Sequence, residues 1–163
     1  MRIRLDLPEE GPVSESNPYR VYVVHVFQPS EDYQRVFEYL ESRDNFFYVN
    51  SADIEAMPAT GGSEAIKEEL RNQIKPAEVV IMPIATFEAN PDLVRFQMDM
   101  AQACKIPLLA IESFGGTVAI QKEILDRSAD MTEWNDRALI NAIKKLARGE
   151  DTSQWETIEF NLD

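Results

Sequence analysis

Pro76–Ala110 reads PAEVVIMPIATFEANPDLVRFQMDMAQACKIPLLA, and the fold follows from it. Two apolar runs of strand length, Val79–Ile84 and Pro107–Ile111, flank a segment with helical spacing. Asn90 and Pro91 open that segment, a capping side chain followed by a ring that suits the first helical turn. An apolar strand, a helix and a second apolar strand make a βαβ unit, whose strands are parallel and covered on both faces. One residue departs from the pattern. Gln97 has Leu93, Val94, Met100 and Ala101 three and four positions away, so it is the polar member of an apolar helix face.

The same alternation extends in both directions. Upstream, Tyr19–Phe27 is apolar and β-branched and predicts a buried strand, broken by Gln28-Pro29-Ser30. Ser30 caps a helix over Glu31–Ser42. Asn45–Asn50 is a second short strand, Ser51–Gly62 a loop, and Ser63 the cap of a helix that runs to Ile74. Downstream, Glu112–Gly116 is a loop, Thr117–Arg127 a helix and Ala129–Thr132 a very short fifth strand. Asn135 caps a last amphipathic helix that Gly149 stops. Residues 19–148 therefore form one α/β domain, a doubly wound, flavodoxin-like sheet of five parallel strands flanked by helices. Residues 1–18 are an extension and linker, in which Met1–Leu7 alternates like a strand. Residues 149–163 are a tail, in which Gln154–Leu162 alternates and can pair with the N-terminal segment.

Composition sets limits on function. The chain has 163 residues, 44% apolar and 28% charged, as a soluble domain with a good core has. Its net charge of −13 disfavours a nucleic-acid partner, which needs a basic footprint, and an anionic membrane surface. No run approaches the ~18 apolar residues of a membrane span. No secretory leader is recognisable and Cys104 is the single cysteine, so a reduced, cytoplasmic location is expected.

Ligands of doubly wound sheets bind beyond the carboxyl ends of the strands. The loops there are Phe27–Ser30, Asn50–Gly62, Ala85–Asn90, Glu112–Gly116 and Glu133-Trp134. The first lacks the glycines of a dinucleotide turn, and Glu31 in the next helical turn opposes a phosphate. The third strand is followed by Met82-Pro83-Ile84-Ala85-Thr86, with no acceptor aspartate for phosphotransfer. Gly115-Gly116-Thr117 reads as a turn ahead of an anion loop. No metal cluster is visible, since His25 is the single histidine. His25 is either a crevice acid or base, or a histidine packed between sheet and helix. Glu88, Glu112 and Asp53 are the carboxylates near the crevice. Asp99 belongs to the outer helix face, four residues after Arg95.

Val21-Tyr22-Val23-Val24-His25 followed by Ser30-Glu31-Asp32-Tyr33 resembles the first strand and helix of the TIR-like family. These are the flavodoxin-like relatives of Toll/interleukin-1 receptor domains in small prokaryotic proteins and the Thoeris antiphage system. Ile74–Ile81 resembles the family's third-strand entry, and Lys105–Ile111 its "GKPIIGV" strand. Trp134-Asn135 resembles its closing "WN". The resemblance spans Tyr19 to Ala147. It implies a crevice of nucleotide size, with NAD or an NAD-derived nucleotide as ligand, and His25, Phe27, Gln97 and Trp134 lining it.

Catalytic TIR members use a glutamate on the helix after the third strand to cleave NAD. The matching position is Gln97, and Val26 stands where a serine often follows the histidine. A neutral amide neither stabilises an oxocarbenium ion nor acts as a nucleophile. The resemblance therefore implies a signalling module that binds a nucleotide-type ligand or self-associates, with no resident cofactor. Two alternatives stand beside it. One is an NAD-consuming hydrolase or cyclase of antiphage defence, working through a displaced carboxylate such as Glu88. The other is a non-catalytic subunit that meets a protein partner through its acidic surface and terminal strands. Gln97 itself is either a ligand contact or a buried amide that satisfies backbone groups.

Overall fold

The computed structural model describes residues 16–150. Met1–Leu7 and Gln154–Leu162, with the strand pairing expected of them, lie outside the described residues, as does most of the expected linker. Strands β1 (Tyr19–Val23), β2 (Tyr48–Asn50), β3 (Val79–Pro83), β4 (Leu108–Ile111) and β5 (Asp130–Thr132) form one sheet in the order β2-β1-β3-β4-β5. Every pairing is parallel. Helices α1 (Glu31–Leu40), α2 (Gly62–Ile74), α3 (Pro91–Ala103), α4 (Lys122–Arg127) and α5 (Asp136–Arg148) connect and flank the strands. The α/β, flavodoxin-like fold expected from the sequence is the fold observed.

The apolar runs are continuous because both faces of the sheet are covered, and the strand period of two divides them. Tyr19, Val21, Val23, Val79, Ile81, Leu109 and Ile111 pack with Val36 and Leu40 of α1 and Leu139 and Ile143 of α5. Tyr22, Val24, Val80, Met82, Leu108 and Ala110 pack on the other face with Ile74 of α2, Val94 and Met98 of α3 and Ile124 of α4.

Helix starts follow the capping chemistry at three places. Ser30 Oγ accepts from the Tyr33 amide, Asn90 Oδ1 from Leu93 and Asn135 Oδ1 from Ala138. Elsewhere the boundaries differ from expectation. Helix α2 begins two residues earlier, with Gly61 and not Ser63 at the N-cap. Gly61 has φ 98°, and a Cβ there would lie 2.6 Å from the Ala65 Cβ, so glycine is needed on both counts. The expected loop after β3 is instead a 3-10 turn over Ile84–Ala89. The helix expected over Thr117–Arg127 starts only at Lys122, because Gly115 and Gly116, with φ 84° and 66°, turn the chain first. That turn is closed by Val118 donating to Ser113 Oγ and Gly116 to the Ser113 carbonyl. Strand β1 ends at Val23 rather than Phe27.

Candidate functional site at the carboxyl edge of the sheet

The early end of β1 has a specific cause. Beyond Val24, whose amide still donates to the Ile81 carbonyl, the next backbone partner is a side chain. Gln97 Oε1 accepts from the His25 amide at 3.2 Å, and Gln97 Nε2 donates to the His25 carbonyl at 2.7 Å. The carboxamide thus stands in for a peptide group of a neighbouring strand. Its remaining capacity is taken by the Tyr22 hydroxyl, which donates to Oε1 at 2.6 Å, and by the Leu93 carbonyl, which accepts from Nε2 at 3.1 Å. Gln97 is fully buried. All four of its hydrogen-bonding positions are filled inside the protein.

His25 continues the network. Phe27 N–H donates to Nδ1 at 3.0 Å, which makes Nδ1 an acceptor and leaves Nε2 to donate to Gln73 Oε1 at 3.0 Å. Gln73 in turn bonds the Asp53 backbone in both directions and donates to Glu69 Oε2. Burial holds the imidazole pKa below its ordinary value of 6.5, against smaller opposing effects of Gln73, Asp53 and Glu69. The ring is therefore a neutral post that ties the end of β1 to α2 and the loop after β2. Phe27, half-buried with φ 61°, packs edge-on to it at 4.8 Å.

The open space at this edge lies to one side of these residues. A pocket of about 340 Å³ is lined by Ser30, Glu31, Asp32 and Arg35, by Ala85 and Thr86, and by Ser113, Phe114, Thr117 and Val118. It thus sits over the ends of β1, β3 and β4, where the strand order reverses, as the rule for doubly wound sheets requires. Its walls are charged and aromatic. Asp32 is buried; one of its oxygens accepts from Arg35 Nη1 at 2.7 Å and the other from the Phe114 amide at 3.2 Å. The Arg35 guanidinium lies 3.8 Å over the ring of Phe114, which is half-exposed and 6.1 Å from the Trp134 ring. Thr86 is 6% exposed, and its Oγ1 is the buried side-chain oxygen for which no hydrogen-bond partner is found among the described residues.

The residues singled out from sequence are distributed around this pocket rather than on it. Gln97, His25 and Phe27 form the support behind the end of β1. Trp134 donates its indole N–H to the Glu112 carbonyl at 2.6 Å and packs 5.2 Å from Tyr39, joining the loop after β5 to the Phe114 side of the pocket. Glu88 is exposed on the 3-10 turn and does not line the pocket. Among the described residues no group of three or more His, Cys, Asp or Glu side chains could hold a metal ion, and no helix is long and apolar enough to cross a membrane. Asp32 and Arg35 escaped the sequence reading of the site, although their spacing (i, i+3) was a usable signal. Thr86 and Ser113 belong to the expected loops Ala85–Asn90 and Glu112–Gly116, but nothing in the sequence singled them out.

The chain matches no known family model, and a search of curated proteins finds no match.

Proposed function

We propose that the chain is a TIR-like signalling module that holds a nucleotide-type ligand at the carboxyl edge of its sheet and does not turn it over. The observation that carries this reading is the pocket across β1, β3 and β4, whose size falls within the ~300–1,000 Å³ of small-molecule sites. Its aromatic ring, its hydroxyls and its carboxylates are groups that a base and a ribose engage. The chemistry at position 97 argues for binding over catalysis. Catalytic TIR members place a carboxylate at the matching position to act on the ribose of NAD, whereas the Gln97 amide is buried and committed to Tyr22, His25 and Leu93. The pocket carboxylate Asp32 is likewise committed to Arg35 and Phe114. We place the module in the cytoplasm, where the single cysteine, unpaired in the fold, stays reduced.

Calorimetric titration with NAD and ADP-ribose tests the reading. Saturable heat without release of nicotinamide is expected. Absence of heat with both overturns the reading.

A further inference from the structure

We infer that the pocket selects an uncharged, hydroxyl-bearing ring, the sugar of a nucleoside or a free sugar, and rejects a phosphate. The inference rests on the ligand-binding reading above and narrows it to a chemical class.

Charge comes first. The ionisable residues lining the pocket are Glu31, Asp32 and Arg35, two acids and one base. The base is offset by one of the acids, which leaves the lining with a net negative charge. Arg35 is paired with Asp32 at 2.7 Å and spread over the Phe114 ring at 3.8 Å. A helix N-terminus ordinarily attracts anions, but Glu31 and Asp32 fill the first turn of α1 and oppose one. The molecule adds a net charge of −13 to the same effect.

Hydrogen-bonding capacity comes next. Thr86 Oγ1 is buried without a partner among the described residues, and burying a hydroxyl unpaired is costly unless something answers it. Ser113 Oγ and Ser30 Oγ each accept a backbone N–H, from Val118 and Tyr33, which leaves their own O–H to donate. Glu31 stands exposed at the rim as an acceptor. Hydroxyl donors with a carboxylate acceptor and a half-exposed aromatic face match the alternating hydroxyls and the apolar face of a sugar ring. A phosphate would instead bring an anion against the carboxylate.

The test measures binding of adenosine, D-ribose, ADP-ribose and inorganic phosphate by tryptophan fluorescence and calorimetry, at low and high salt. Expected are adenosine binding within about threefold of ADP-ribose, no competition by phosphate and little salt dependence. Ribose binding as well as adenosine would assign the site to a free sugar, and adenosine binding far better would assign it to a nucleoside; both support the inference. Thr86→Val should weaken adenosine about tenfold, one hydrogen bond's worth, while leaving the unliganded melting temperature equal or higher. ADP-ribose binding that adenosine cannot match, or that phosphate displaces, overturns the inference and leaves ligand binding standing. Unchanged adenosine affinity in Thr86→Val also overturns it. If none of the probes binds, the ligand-binding reading falls and the inference falls with it.

Discussion

Gln97 owes its place to both ends of its amide. The oxygen receives the His25 N–H and the Tyr22 O–H, and the nitrogen gives to two carbonyls. A glutamate offers only acceptors, so Gln97→Glu would aim a carboxylate at the carbonyls of His25 and Leu93 in a fully buried site. We expect this substitution to cost about 3 kcal/mol in urea unfolding and to yield no NAD cleavage. Gln97→Leu should cost a similar amount by orphaning the same groups. If Gln97→Glu is as stable as the parent and releases nicotinamide, the amide is not the structural piece described here. The sequence marked Gln97 as a polar residue on an apolar face. It could not show that the face meets the backbone of His25, 72 positions away. His25 gives a second prediction at this scale. Its folded pKa lies below 6.5 because burial disfavours the imidazolium, so the unfolded chain takes up the proton first as pH falls. Stability should therefore drop from about pH 6.5 downward and level off below the folded pKa. The loss is about 1.4 kcal/mol for each unit between the two values. The measurement is urea midpoints from pH 7.5 to 5 for the parent and His25→Gln. A parent curve that stays parallel to the variant's across that window would contradict it.

At the level of elements, the legible features were those written locally. Ser30, Asn90 and Asn135 each bond an amide three residues on, so these helix starts could be read from a few consecutive letters. Features set by contacts across the fold were not legible. The end of β1 depends on a side chain of α3. The candidate site divides in the same way. Three of its contributing loops followed from the topology, but Thr86 matters only because its surroundings leave it unpaired, and no local pattern encodes that. Arg148, in the last turn of α5, shows how far one side chain reaches. It holds Glu78 at 2.9 and 3.1 Å, donates to the carbonyls of Asn17 and Pro18, and lies 4.1 Å over the Tyr19 ring. It thereby joins α5 to the entries of β1 and β3. Arg148→Ala leaves Glu78, whose side chain is 12% exposed, with a reduced share of its cationic partners. A loss of about 2 kcal/mol is expected. Arg43→Ala, which breaks an exposed pair with Asp136, should leave the melting temperature nearly unchanged. Equal thermal shifts for the two variants would mean that the strand entries do not depend on Arg148.

Over the whole molecule, two apolar clusters on either face of one parallel sheet supply the cohesion, and surplus charge works against it. The chain carries 29 acidic and 16 basic residues. Among the described residues, most of the ion pairs involve at least one substantially exposed partner, including Arg43–Asp136, Arg71–Glu68 and Lys122–Asp126. Such pairs contribute roughly 0–1 kcal/mol each and are screened by salt. The unmatched acids repel one another over longer distances, and that repulsion is screened as well. The two effects have opposite signs, so ionic strength decides between them. The Debye length falls from about 30 Å at 0.01 M to about 8 Å at 0.15 M, which removes long-range repulsion before it reaches pairs in contact near 3 Å. Sodium chloride over that range should therefore raise the melting temperature. Recovery of about 1 kcal/mol corresponds to roughly 3 °C for a domain of this size. A melting temperature that falls with added salt would mean that the contact pairs, and not the excess of acid, dominate the electrostatics of the fold.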